Sequence, residues 1–388
     1  RICGPNAIDE YDIATRYSDN TYRKTHWVRG TGAMTSNNAS GSSNYYEIYQ
    51  ICSGISELGD SCLSRYGIDY VSLPRTLIKI GSSCFRSSRI TSISLPDSLE
   101  EIGHNNFPST LTSITIPSRI KDFPTDNLQG CTNLPSIGVD KNNNSYKSIG
   151  GILYNYEVTE ILLCPRAKSG KVIIPNTVTR IAEKCFQGCT KLTMIELPRS
   201  IETIGDYAFS GLTLDRLVIP NSVKSIGIGC FANTVINKTF RFPQGITELS
   251  SNCFERAIIP STDFIKNVEV IGDNCFNVRS KNESLPEYLI LPKIKHIGEF
   301  AFDDEKKTKV FELPSSLTFI GDCAFNSTSD DLKIICLSIV PFKLSNGAFH
   351  GISDNASLFI PKGTKIIYEN TAPWSTFTNI VEFDLDKD

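Results

Sequence analysis

The chain has 388 residues, more than one hydrophobic core usually serves, so it must form several domains or one elongated repeat array. Hydrophobic residues make up 40% and charged residues 21%, an ordinary globular composition, and a formal charge of -3 removes the electrostatic case for a nucleic-acid or anionic-membrane partner. No apolar run approaches the roughly 20 residues that span a bilayer. The first residues, RICGPNAIDEYD, lack the apolar core of a signal peptide, so an exported protein would already have lost its leader.

Residues 1 to 50 fit no repeat and carry TSNNASGSSN at 35 to 44, which predicts an N-terminal cap with a flexible linker. From about residue 51 to 361 one template recurs, roughly L-x-x-I-x-[LI]-P-x-x-[LVI]-x-x-I-G-x-x-[CA]-F. Its Phe slot is filled at Phe85, Phe107, Phe186, Phe209, Phe231, Phe254, Phe276, Phe302, Phe325 and Phe349, with Leu63 and Leu128 as substitutes, mostly 21 to 24 residues apart. Such a period predicts a leucine-rich-repeat solenoid of about a dozen rungs. One rung cannot bury its own apolar side chains, so successive rungs must stack. Each opens with an alternating stretch such as TSITIP (112 to 117) or DRLVIP (215 to 220), which reads as a short strand closed by proline. A second extended piece ends in Ile-Gly, whose glycine is expected to take a positive φ at the corner. The expected architecture is a right-handed repeat solenoid, mostly short parallel β-strands with turns and short helical segments, capped at both ends.

Three stretches break the period. Residues 138 to 157 insert a polar Asn run, and residues 277 to 287 and 303 to 308 lengthen two loops; all read as growth on the solenoid surface. Residues 362 to 388, with Tyr368, Trp374 and Phe377, would form a C-terminal cap over the last rung.

The position before the Phe slot holds Cys62, Cys84, Cys185, Cys230, Cys253 and Cys275, elsewhere Ala208, Ala301, Ala324 and Ala348, and twice Asn106 and Asn127. A slot that alternates Cys with Ala asks for a small, mostly apolar group under a packed corner. Thirteen cysteines cannot all pair, and Cys185-x3-Cys189 lacks a second pair of zinc ligands. The four histidines, His26, His104, His296 and His350, give no cysteine an evident base, and no hydrolase, metalloprotease or nucleotide-binding motif occurs. Reduced structural thiols are expected, with no catalytic residues, no metal and no cofactor.

The segments LTSITIPSRI, IETIGDYAFSGL and NSVKSIGIGCF resemble the repeats of BspA-like leucine-rich-repeat proteins over about residues 51 to 361. The stretch VDKNNNSYKSIGGILYNYEVTEILLCP and the ending LFIPKGTKIIYENTAPWSTFTNIVEF are similar to segments of family members from anaerobic, host-associated bacteria. The resemblance implies a secreted or surface-displayed protein that adheres to host matrix or microbial surface proteins. It carries no shared catalytic or ligand motif.

Residues alternating with the core Leu and Ile should form solvent-facing columns across the strands. One runs through Ile173, Glu196, Val218, Arg241, Ile290 and Glu312, its neighbour through Lys171, Met194, Arg216, Thr239, Tyr288 and Val310. The early rungs present mainly Ser and Thr, whereas the middle rungs present Met194, Glu196, Arg216, Arg241 and Tyr288, residue types that carry binding energy or complementarity. These five form the candidate protein-binding face. Two functions remain open: a non-enzymatic protein-binding or adhesion solenoid, and a glycan-binding surface module, for which Tyr288 and Phe359 make a sparse stacking platform.

Overall fold

The computed structural model describes residues 7–16, 22–30, 32–34, 46–64, 67–278 and 285–385, so the linker expected at 35 to 44 lies outside them. The chain divides into two compact units, Arg1–Ser169 and Gly170–Asp388. Each is a β-solenoid of stacked strands, and the longest described helical segment is only five residues.

In the first unit the strands Ala7–Arg16 and Tyr22–Gly30 form an antiparallel pair, and Tyr22–Gly30 continues in parallel into Tyr46–Ile51 and Ile68–Ser72. A second ladder joins Gly32–Met34, Ile55–Leu58, Lys79–Ile80 and Glu101–Ile102, the last two being Ile-Gly corners. The insertion at 138 to 157 departs from parallel stacking. Tyr146–Ile149 turns back on Ile152–Asn155 through Gly150 and Gly151, at φ 57° and 79°, and Ile152–Asn155 pairs antiparallel with Glu160–Leu163. Its Asn run is anchored by a buried amide: Asn143 Nδ2 donates to the carbonyls of Pro117 (2.7 Å) and Ile120 (3.1 Å), while Oδ1 accepts from the Ser145 and Tyr146 N–H groups.

In the second unit the longer strands pair in parallel as Gly170–Ile173 with Leu192–Glu196, Thr213–Val218 with Val235–Arg241, and Tyr288–Ile290 onward through Val310–Leu313, Lys333–Cys336, Ser357–Pro361 and Asn379–Phe383. The Ile-Gly pieces stack separately, among them Thr203–Ile204 on Ser225–Ile226 and Val270–Ile271 on His296–Ile297. Between these ladders the Phe slot forms a continuous aromatic column. Phe186, Phe209, Phe231, Phe254 and Phe276 follow one another at centroid separations of 5.5, 5.7, 5.2 and 5.5 Å with nearly parallel planes. Offset stacking at one ring per rung removes each face from water and adds quadrupolar attraction.

The corner does not work through torsion at the Ile-Gly glycine. The residue before the Cys/Ala slot takes the left-handed backbone instead: Ser83, Asn105, Lys184, Tyr207, Asn252, Asn274 and Phe300 lie at φ between 53° and 59°. A non-glycine residue there costs about 1–2 kcal/mol, offset by two hydrogen bonds to the following rung. Tyr207 N–H donates to Ile228 O (2.8 Å) and Phe209 N–H to Cys230 O (3.0 Å), and Asn274 and Phe276 repeat the pattern onto Glu299 and Ala301. The Ile-Gly glycine serves close approach. A Cβ on Gly205 would lie 2.6 Å from Glu183 N, and one on Gly272 2.6 Å from Ser251 N, closer than any side chain tolerates.

The slot residues Cys62, Cys84, Cys185, Cys230, Cys253, Cys275, Ala208, Ala301, Ala324, Ala348 and Asn106 all have zero exposure. All twelve described cysteines are free thiols. Where Asn replaces them the amide is bonded, Asn106 Oδ1 accepting from Cys84 N–H (2.8 Å) and Nδ2 donating to Gly103 O (2.9 Å). Burial pushes the thiols of Cys84 and Cys275 up to about 12, so they stay protonated and weakly nucleophilic at neutral pH.

At the end of the chain Trp374 is fully buried, with its ring 5.1 Å from Phe342 and 5.2 Å from Phe349, and Nε1 donating to Phe342 O (3.2 Å). Tyr368 is equally buried and its hydroxyl donates to Ser338 O (2.8 Å).

Three expectations follow for stability. Phe231→Ala should cost about 3–5 kcal/mol, as loss of a ring from a packed core. Cys230→Ala should cost little because Ala208 already fills that slot, and comparable losses in denaturant titrations would contradict the slot assignment. The raised thiol values make the buried cysteines stabilising while protonated in both states. That contribution is lost as pH climbs from the ordinary thiol value of 9.0 toward about 12. The unfolding midpoint should therefore fall less steeply over that range in Cys84→Ala than in the parent, and identical slopes would refute it. Removing residues 364 to 388 should lower the melting temperature and, by baring the edge of Ser357–Pro361, promote self-association detectable by light scattering; an unchanged, monodisperse product would oppose this.

Candidate functional site

Four of the five candidate residues line one groove of the second unit. Its floor comes from strands Leu192–Glu196, Thr213–Val218 and Val235–Arg241, and its volume is ≈ 1270 Å³. The registers match the alternation read from the sequence: Lys171 faces Met194, Ile173 faces Glu196, Arg216 faces Thr239 and Val218 faces Arg241. Arg216 and Arg241 are thus diagonal neighbours on adjacent strands, with Cα atoms roughly 8 Å apart from the strand spacing and rise.

Tyr288 lies outside the groove. The rung after Arg241 makes a single bridge, Val235 with Ile258, then leaves the sheet at Pro260 for the 3-10 helix Asp263–Asn267. Ile265 of that helix is buried and half-buried Phe264 packs 4.4 Å from Phe242 and 5.2 Å from Phe254, so the helix is held as a wall along the groove. Tyr288 begins the next sheet, half-exposed, with its hydroxyl donating to Glu312. That hydrogen bond, with burial, pushes the phenol up to about 12.

The charges are uneven. Glu196 is bound to Lys171 at 2.7 Å, and Asp263 accepts from Ser261 (3.0 Å) and pairs with Lys266 (3.6 Å). Arg199, Arg216 and Arg241, which also line the groove, make no ion pair among the described residues. Between them the floor is apolar, through half-buried Met194 and Val218. Sequence columns missed Arg199 because it follows the strand-ending Pro198. They missed Phe264 because its rung lacks the regular spacing between its early proline and the next Ile-Gly. The irregular RAIIPSTDFIKN was the available signal.

Catalytic or metal-binding arrangements are poorly served. Cys323 Sγ lies 3.9 Å from His350 Nδ1, but burial and nearby Asp322 push the thiol up, opposite to an activated nucleophile. Among the described residues no group of three His, Cys, Asp or Glu side chains could hold a metal ion, and no helix is long and apolar enough to cross a membrane.

Comparison with known proteins agrees with this geometry. The chain is similar to the crystal structure of a leucine-rich repeat protein from Eubacterium ventriosum at 21% identity, over 83% of this chain and 95% of that one, with a TM-score of 0.59. It is also similar to a leucine-rich repeat protein from Bacteroides ovatus at 18% identity, over 97% and 99% of the two chains, with a TM-score of 0.51. These likenesses establish the fold alone. No curated protein matches. The family model for the BspA type leucine rich repeat region matches in 6 copies over residues 56–165, 164–283 and 280–386, and the chain therefore belongs to the BspA-type leucine-rich-repeat family.

Proposed function

We propose that this chain is a non-enzymatic binding or adhesion protein, secreted or displayed on a bacterial surface, that holds a partner protein in the groove floored by Met194, Glu196, Arg216 and Arg241. The observation that carries the reading is the concave face itself, which joins three arginines free of ion pairs among the described residues to an apolar floor and an ordered aromatic wall. Arg and large apolar side chains supply most interface hot spots, and a preformed surface avoids the cost of ordering on binding. Membership of a repeat family whose stacked rungs present extended surfaces supports the same role. A glycan platform is less well served, because the exposed Tyr288 and half-buried Phe359 both lie outside the groove and stand three rungs apart.

An array of host matrix proteins, microbial surface proteins and glycans, probed with the intact chain, should return protein partners. Arg216→Ala combined with Arg241→Ala should then weaken binding by about 1–2 kcal/mol or more at an unchanged melting temperature. If affinity survives that change but falls on Lys141→Ala with Lys147→Ala, two exposed positions of the inserted hairpin, the groove is not the site.

A further inference from the structure

The groove is more selective than a general contact surface, and one of its hydroxyls points to the kind of segment it would take. Ser98, Ser200 and Ser316 occupy the position two residues after the strand-ending proline in their rungs, and each donates its hydroxyl to a carbonyl of the preceding rung: Leu77 (2.6 Å), Val178 (2.6 Å) and Ile294 (3.2 Å). Ser222 holds the same position in the rung that floors the groove. Its Oγ is buried yet has no hydrogen-bond partner among the described residues. A buried hydroxyl left unpaired costs about 1–3 kcal/mol, so this is a donor placed where its siblings show that the fold could have satisfied it.

Resting on the groove reading above, we infer that the groove takes an extended, acidic peptide segment of a partner protein, crossing the strands with an acid-x-acid-x-apolar core. Charge sets the acids. Arg216 and Arg241 stand diagonally, roughly 8 Å between Cα atoms, close to the roughly 6.6 Å that separates alternate side chains on one face of an extended chain. Two carboxylates at i and i+2 can therefore each meet a guanidinium, and such charge-assisted pairs are the stronger kind of hydrogen bond. Arg199 adds a third cation at the margin, while both acidic groups of the lining are already engaged. Phe264, half-buried at the wall, sets the apolar residue at i+4. The length agrees: from Arg216 to the wall is two rung spacings, about 10 Å across the strands, within the about 13 Å that an extended core spans from i to i+4. A turn about χ1 would bring the Ser222 hydroxyl, closed off from solvent in this conformation, to a backbone carbonyl of the segment.

The probe is a fluorescein-labelled peptide with the core Glu-Ser-Glu-Ser-Leu, measured by anisotropy with the intact chain beside its Gln-for-Glu counterpart, the reversed order and chondroitin sulfate. One of the two acidic orders should bind, weaken steeply as sodium chloride is raised, and exceed the Gln peptide by at least about tenfold. Arg216→Ala with Arg241→Ala should remove at least about tenfold of that affinity, and Ser222→Ala about threefold, with melting temperatures retained. Equal binding of the Gln peptide, indifference to the arginine change, or arginine-dependent binding of chondroitin sulfate in place of both peptides would overturn the inference. If an array partner loses affinity on the arginine change while neither acidic peptide binds, the acidic segment is wrong and the groove reading stands. If the array partner is indifferent to it, the groove reading itself falls.

Discussion

Everything in each unit depends on the pair of backbone hydrogen bonds that one corner makes to the next. A corner that kept ordinary torsions would aim these N–H groups away from the neighbouring rung, and burial would leave them unpaired. Turning a single residue into the left-handed region directs both onto the following carbonyls, as Tyr207 and Phe209 do to Ile228 and Cys230. The same two bonds fix the vertical spacing, which lets the phenylalanines stack at 5.2 to 5.7 Å through Phe186, Phe209, Phe231, Phe254 and Phe276. Hydrogen bonding and apolar burial thus demand one repeat distance, and neither must be strained to satisfy the other.

The groove arises where that regularity is relaxed without being lost. In the rung between Phe254 and Phe276 the aromatic column and the Ile-Gly ladder both continue, through Phe254 and Val270–Ile271. Only the outer strand is replaced, by the 3-10 helix Asp263–Asn267, whose Ile265 enters the core while Phe264 packs on Phe254. A wall therefore rises from the sheet face while its base is held by the same packing as every other rung. Surfaces built on loops are mobile by default; this groove borrows the rigidity of the stack.

Much of this was legible in the sequence. The period, the alternation within strands and the small-residue slot each follow from local side-chain chemistry repeated many times, so noise in one rung is averaged out. The facing pairs Lys171 with Met194 and Arg216 with Thr239 came directly from period-2 alternation. What escaped depends on contacts between rungs. Whether Gly205 needs a torsion or merely space is set by Glu183 N, more than twenty residues earlier, and no local pattern distinguishes the two. Likewise the separation of Tyr288 from Arg241 follows from Pro260 and Phe264 in an intervening rung that breaks the template. The antiparallel turn at Gly150 and Gly151 was hidden because its Asn run reads as polar loop, although Asn143 is a buried anchor.

The seat that each Ile-Gly corner provides has a bearing on how such arrays change length. Asp206 Oδ1 accepts the Ile228 N–H at 2.8 Å, and Asp273 Oδ1 accepts that of Glu299 at 2.8 Å, each beside the bare glycine of the following rung. Because these rungs carry both the acceptor for the next corner and the glycine that receives the previous one, a copied rung brings its own fittings on both sides. Whole-rung duplication can lengthen the array without redesign of its neighbours. A single extra residue between the glycine and the phenylalanine would instead break the seat, the two corner bonds and the aromatic column together. Number of rungs is thus the dimension this architecture can vary most freely, and corner length the one it must hold constant.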